Sequence, residues 1–261
     1  MIADSDAEPR LSDDDELTLP PGFDATEALQ RIAARLADAG PIRPRASLAE
    51  IARRLPAGMP AAAGEAGGLA EELADFAGAY SRRNAQPGFM GFICSPGIAT
   101  DPVAHAAKAL LNQNVSGFIS APGATAIEQL VIRWFTQLCG FASSSGGAFV
   151  AGGSMGNFTG LACGVYQKAG YEALEQGLQG QPLVIYCSTE AHFSVERAVR
   201  ILGLGSRALR KIPTDEAFRM DANLLEVAIQ SDLAQGKIPC AVVATIGTTA
   251  TGSIDPLSAI E

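Results

Sequence analysis

Three short polar clusters hold the residue types in this chain that could do chemistry. The first is Gly152-Gly153-Ser154, set between the apolar run Ala148–Ala151 and a helical pattern from Asn157 to Ala169. Glycine lets a backbone approach an anion closely, a helix start is electropositive, and serine adds a neutral donor. The same residues also suit a plain tight turn from strand to helix. They do not form a Walker A loop, because no lysine follows in place. Nor do they form a dinucleotide fingerprint, because GGSMGN lacks the G-x-G-x-x-G order.

The second cluster is His192, which follows the apolar run LVIYC and a short polar turn. A histidine there is either an ordinary helix cap or, held by its apolar flanks Ala191, Phe193 and Val195, a flat surface for a flat ligand. The third is Thr248-Thr249 after AVVATIG, with Asp255-Pro256 six residues beyond. Each threonine suits a turn, and Asp255 reads as a helix N-cap with Pro256 at the first helical position. Together the clusters say more. Three strands each end in a polar element at one edge, where Gly153 and Ser154 can hold a phosphate, His192 can stack and Thr249 can bond a ring substituent.

The elements that must position these groups alternate regularly. Strands are predicted at 148–151, 183–187, 208–212 and 241–246, and helices at 157–169, 190–202 and 223–234. Continuous apolar strands alternating with helices predict an α/β fold, a parallel sheet covered on both faces, and open sheets bind ligands at their carboxyl edge. Upstream, 1–22 reads as an acidic tail, and 23–85 as a helical segment with helices at 24–39, after Ser47 and at 69–83. A flexible connector is expected over 56–68, and 86–261 reads as the large domain. Asp101 is expected to cap a helix through Leu111. Ile127, Leu130, Val131, Trp134, Phe135 and Leu138 give the helix at 124–138 one broad apolar face, for a core or a subunit contact, and Gly140 stops it. The segment Pro87–Pro102, with Phe89, Met90, Phe92 and Ile93, reads as a buried loop or a pocket wall.

Composition excludes several classes. A net charge of −9 argues against a nucleic-acid surface. No apolar run reaches the ~18 residues of a membrane span, and no secretory leader opens the chain. Five cysteines without a CxxC pair, mostly in apolar surroundings, fit buried thiols in a reducing cytoplasm. With only two histidines, no metal site is expected.

The motifs LNQN (111–114), APGATAIEQLVIRWF (121–135), AGGSMGNFTGL (151–161), AHFSVERAVRILGLG (191–205) and VATIGTTATGSIDP (243–256) resemble the amino-terminal part of group II pyridoxal-phosphate-dependent amino-acid decarboxylases. The resemblance is ordered from about Pro87 to Glu261 and faint before Gln86. It implies the aminotransferase-type fold (fold type I), a homodimer, pyridoxal 5'-phosphate as cofactor, and loss of CO2 from an L-amino acid. It places Gly153 and Ser154 on the phosphate, His192 over the cofactor ring as a catalytic residue, Thr249 beside the ring, and Phe92 in the substrate pocket. Gln86 stands where the family usually has histidine, and Met155-Gly156 where many members have an acidic residue and alanine. The Val-Asp-Ala stretch and the His-Lys pair that carries the cofactor lie outside these 261 residues. Lys108, Lys168, Lys211 and Lys237 occupy no matching context. Two alternatives stay open: a catalytically incomplete dimerising subunit, or another reaction on the same fold, an aminotransferase or a carbon–sulfur lyase. Phe89, Phe92 and Ile93 lean towards an apolar substrate side chain.

Overall fold

Apolar periodicity and turn chemistry produce two compact units in the computed structural model, residues 1–99 and 100–261. The structure describes residues 24–37, 41–42, 45–58, 66–92, 94 and 97–261. The tail expected at 1–22 and most of the expected connector lie outside them.

In the first unit, α1 (Ala25–Ala37) packs on α3 (Ala66–Tyr80), and α2 (Leu48–Ala52) is a short helix between them. Ser47 caps α2 through a full capping box with Glu50, as the sequence suggests. Arg83 closes the pair by donating to the carbonyl of Leu36 at 2.6 Å and that of Gly78 at 3.1 Å.

The second unit opens with α4 (Asp101–Leu111) and α5 (Pro122–Leu138). Asp101 is not the cap of α4: Thr100 holds the N-cap position, and Asp101 sits inside the first turn, where its charge still favours the helix start. Gly140 ends α5 at φ 73°, as predicted. The apolar face of α5 departs from a core reading. Ile127, Trp134, Phe135 and Leu138 are exposed and only Ile132 is buried.

The α/β part follows with α6 (Gly153–Ala169), α7 (Ala173–Gln176), β1 (Leu183–Ser188), α8 (Ser194–Ile201), β2 (Leu209–Ile212), α9 (Ala222–Ala234), β3 (Ile238–Val243) and α10 (Leu257–Ile260). The three strands are parallel in the order β2-β1-β3, pairing Ile185 with Leu209 and with Ala241. The chain therefore leaves β1 towards one neighbour and later returns to the other side. Right-handed crossovers then put α8 and α9 on opposite faces. Leu183, Ile185 and Cys187 pack with Leu161, Val165, Val195 and Val199 of α6 and α8, while Val184 and Tyr186 pack with Leu225 of α9. β1 is buried along its whole length, as its unbroken apolar run requires.

Several element boundaries differ from the sequence reading; α6, for one, starts at Gly153 rather than Asn157. Residues 148–151 form no strand; they are exposed and irregular, bracketed by Gly146-Gly147 and Gly152-Gly153, and a strand needs a ladder partner that they lack. β3 starts three residues earlier than expected and is only half-buried. Its proline is tolerated because a bulge lies beside it: Val184 pairs with Pro239 and Ile185 with Ala241, leaving Cys240 as the extra residue. α8 begins at Ser194 rather than Glu190, because 189–193 are held in a turn by bonds from Thr189 N–H to Ile212 and from Ala191 N–H to Ser188. The cysteines also depart: only Cys187 is buried, Cys240 is half-buried, and Cys94, Cys139 and Cys163 are exposed, Cys163 because it lies on the outer side of α6 while Leu161 and Val165 turn to the core.

Candidate active site

α6 is fixed antiparallel to β1 by one bond at each end. Gln181, just before β1, donates to the carbonyl of Ala169 at the foot of α6 (3.3 Å), and Asn157 in the first turns of α6 donates to Ser194, beyond the end of β1 (2.8 Å). The amino end of α6 therefore stands at the carboxyl edge of the sheet. Gly152 is its N-cap at φ 120°, ψ 169°, a conformation that essentially only glycine adopts. It has no side chain to accept a bond. Its carbonyl takes the N–H groups of Met155 and Gly156, both at 3.0 Å. The N–H groups of Gly153 and Ser154 precede the first helical bond, so both stay available at the positive end of a seventeen-residue helix. This donor set fits a phosphate.

His192 lies in the turn after β1 and is exposed. Its Nδ1 is 2.7 Å from the Ser194 hydroxyl and 3.3 Å from the Ser194 backbone nitrogen. That hydroxyl also receives the Asn157 amide, so a short chain of hydrogen bonds ties the histidine to the helix that carries Gly153 and Ser154. Phe193 packs on the imidazole with centroids 4.1 Å apart and planes at 40°. Ser154 and Ser194 share the wall of a hollow of about 180 Å³ with Met155, Phe158, Arg197, Ala198 and Ile201. A larger hollow of about 490 Å³ lies at the opposite, amino edge, beside Pro182 and Lys237, so size alone does not mark the site. Cys187 is no competing nucleophile, because burial pushes its thiol up to about 11.

The two threonines after β3 have different fates. Thr248 is buried, its hydroxyl held by Thr251 and Ser253 at 2.5 and 3.2 Å and accepting the Ser253 N–H at 3.0 Å. Thr249 is exposed beside it. Because β3 is the neighbour of β1 on the side away from β2, Thr249 and His192 follow the two strands between which the chain direction switches. Ligands of open α/β sheets sit in that crevice.

Asp255 is not the helix cap that its sequence context suggests. Pro256 holds the N-cap position of α10, and the Asp255 carboxylate is buried, accepting the N–H of Met220 and of Thr245, each at 2.7 Å. It closes the loop 245–255 that presents Thr249 and anchors it to the turn before α9. Asn157, Ser194 and Asp255 are the site-forming residues that sequence reasoning missed. Only Asp255 carried a local signal, and that signal pointed to a different role.

Phe92 belongs to the first unit. It has φ 64°, stacks on Phe89 at 6.5 Å and lies under the Arg82 guanidinium at 4.2 Å, largely exposed. Neither Met90 nor Phe92 is buried, so the buried-loop reading of this segment does not hold for them. Ile93 lies outside the described residues. Among the described residues no cluster of histidine, cysteine, aspartate or glutamate could hold a metal ion, and no helix is long and apolar enough to cross a membrane.

Residues 87–261 match the pyridoxal-dependent decarboxylase conserved domain, about two thirds of the chain. The chain belongs to the pyridoxal-dependent decarboxylase family. Aromatic-L-amino-acid decarboxylase of Bacillus atrophaeus is 34% identical over 172 residues, covering 66% of this chain and 34% of that protein. Human cysteine sulfinic acid decarboxylase is 34% identical over 185 residues, covering 69% and 36%. The crystal structure of mouse CSAD superposes with a TM-score of 0.81 at 26% identity, over 90% of this chain and 51% of that one. A rice TDC solved with PLP and tryptamine shares the fold, with a TM-score of 0.82 at 23% identity over 93% and 53%. This member of the decarboxylase family spans about a third of the length of the curated relatives it matches. The aminotransferase-type fold expected from the sequence is the fold of these structural neighbours.

Proposed function

We propose that the protein containing this chain decarboxylates an L-amino acid to the amine and CO2 with pyridoxal 5'-phosphate. The observation that carries this reading is the join between the open N–H groups at the Gly152-capped start of α6 and the imidazole of His192, made through Asn157 and Ser194. In this reading Gly153 and Ser154 hold the phosphate, and no backbone carbonyl competes for their donors. His192 supplies the flat face over the ring, and as a catalytic residue it also offers a nitrogen to the reacting group. Thr249, left free while Thr248 is tied down, bonds a ring substituent. Phe92 keeps its assignment to the substrate-facing loop. When bound, the cofactor supplies an electron sink for the charge left on Cα as CO2 departs.

The exposed apolar face of α5 supports a homodimer, since a soluble monomer rarely leaves such a stripe uncovered. Five unpaired cysteines support a cytoplasmic setting. The substrate reading leans towards an apolar side chain, on Phe89 and Phe92.

The test is an amine-product screen of the full-length protein over the common L-amino acids, with visible absorbance recorded for bound cofactor. Release of CO2 with the matching amine is expected. A full-length protein that takes up no pyridoxal phosphate would overturn the reading, and cofactor uptake with a keto acid product instead of an amine would replace it with transamination.

A further inference from the structure

We propose that Asn157 and Ser194 are positioning residues that hold the His192 imidazole in its Nε2–H tautomer. The direction of each hydrogen bond follows from what each atom can do. The Ser194 backbone N–H has a single role, that of donor, and it points at Nδ1 from 3.3 Å. Nδ1 must therefore present its lone pair and carry no proton. The Ser194 hydroxyl, 2.7 Å from the same nitrogen, then serves as its second donor. A hydroxyl has one hydrogen, and giving it to Nδ1 leaves the oxygen to accept. The Asn157 amide supplies that hydrogen at 2.8 Å, through Nδ2. The relay runs one way, from Asn157 N–H to Ser194 O to His192 Nδ1, and leaves the ring proton on Nε2.

Two features make the arrangement a built one. Ser194 is 2% exposed, so water does not compete for its hydroxyl. Ser194 is also the first residue of α8, so the lone pair of Nδ1 faces the electropositive end of a helix. A proton on Nδ1 would face both that end and a backbone N–H. With Nδ1 engaged, ring rotation is restricted as well, and Nε2–H is the donor left for a bound ligand. The value of this donor to catalysis rests on the proposed function; the tautomer itself does not.

The test reads the imidazole directly in the chain without cofactor. Long-range proton–nitrogen correlation spectra at alkaline pH, where histidines are neutral, distinguish a protonated ring nitrogen from an unprotonated one. The chain has only one other histidine, His105 on α4, which serves as the internal control. The wild type is expected to show one tautomer at residue 192, with the proton on Nε2. In Asn157→Asp the carboxylate accepts the Ser194 proton, the serine oxygen turns to accept from the ring, and the proton is expected to move towards Nδ1. In Ser194→Ala the two ring nitrogens are expected to shift towards each other as the tautomers mix. His105 signals and the backbone amide pattern away from 150–200 stay unchanged in both, which establishes folding. A proton on Nδ1 in the wild type, or an unaltered residue 192 in Asn157→Asp, overturns the proposal. A purely structural role for either residue would not move the tautomer. Failure here with an active full-length decarboxylase leaves the functional reading standing, and the expected tautomer in a protein that binds no cofactor does the reverse.

Discussion

Replacing Asp232 with asparagine should remove a pH-dependent share of the stability of the α/β unit. Asp232, in α9, is 3% exposed and accepts hydrogen bonds from Arg210 through Nε and Nη2 at 3.0 Å each, from Lys237 at 2.8 Å and from the Tyr186 hydroxyl at 3.0 Å. These bonds, Arg210 foremost and against the opposing effect of burial, hold its carboxyl down at about 2 instead of the usual 3.8. A carboxyl whose folded value lies below its unfolded one stabilises the fold above the unfolded value and loses that contribution as pH falls through the folded one. At about 1.4 kcal/mol per pH unit, the displacement amounts to about 2 kcal/mol, present above about pH 5 and lost between about pH 4 and 2. Arg210 and Lys237 keep 33% and 27% of their side chains exposed, so water partly replaces the lost carboxylate, and the variant should fall short of a full buried-charge penalty. The assay is urea unfolding of wild type and Asp232→Asn across pH, followed by far-ultraviolet circular dichroism. A gap of about 2 kcal/mol at neutral pH should close as the wild type is acidified. Taking the difference between the two proteins cancels the other carboxylates of this acidic chain. A gap that stays flat from pH 7 to 2, or that is absent at pH 7, would refute the reasoning.

Asp255→Ala leaves the Met220 and Thr245 N–H groups without an acceptor, and at roughly 1–3 kcal/mol for each buried donor it should cost about 3 kcal/mol in the same assay. Asp255→Asn keeps one acceptor oxygen and should cost about half as much; equal losses in the two variants would contradict the two-donor account. On α5, Trp134→Glu combined with Leu138→Glu should weaken self-association of the full-length protein. Covering these two exposed apolar side chains in the proposed dimer is worth about 1.5–3 kcal/mol each, so their loss predicts at least a hundredfold rise in its dissociation constant by sedimentation. An unchanged sedimentation profile would contradict a dimer formed through α5.

Much of the α/β order is legible locally. LVIYC is apolar without interruption because β1 is the central strand and both its faces are covered. Gly203 ends the turn after α8, and Gly152 stands where the backbone needs φ 120°. The weaker readings share one cause. Ala148–Ala151 and the α5 stripe are apolar, but apolarity does not say whether a partner is present to cover them. A strand without a ladder neighbour and a face without a neighbour stay open.

Sequence by itself determined the family, most of the alternation of helices and strands from β1 onward and the identity of the polar groups in the loops, because glycine conformations, apolar periodicity and helix starts are properties of a few adjacent residues. Tertiary structure alone decided that Asn157 reaches Ser194 across 37 positions, that Asp255 turns inward to Met220 across 35, and that of two adjacent threonines Thr248 is held and Thr249 is free. Those outcomes depend on which donors the fold leaves unpaired beside each acceptor. That pairing is settled only when distant segments meet and water is excluded between them.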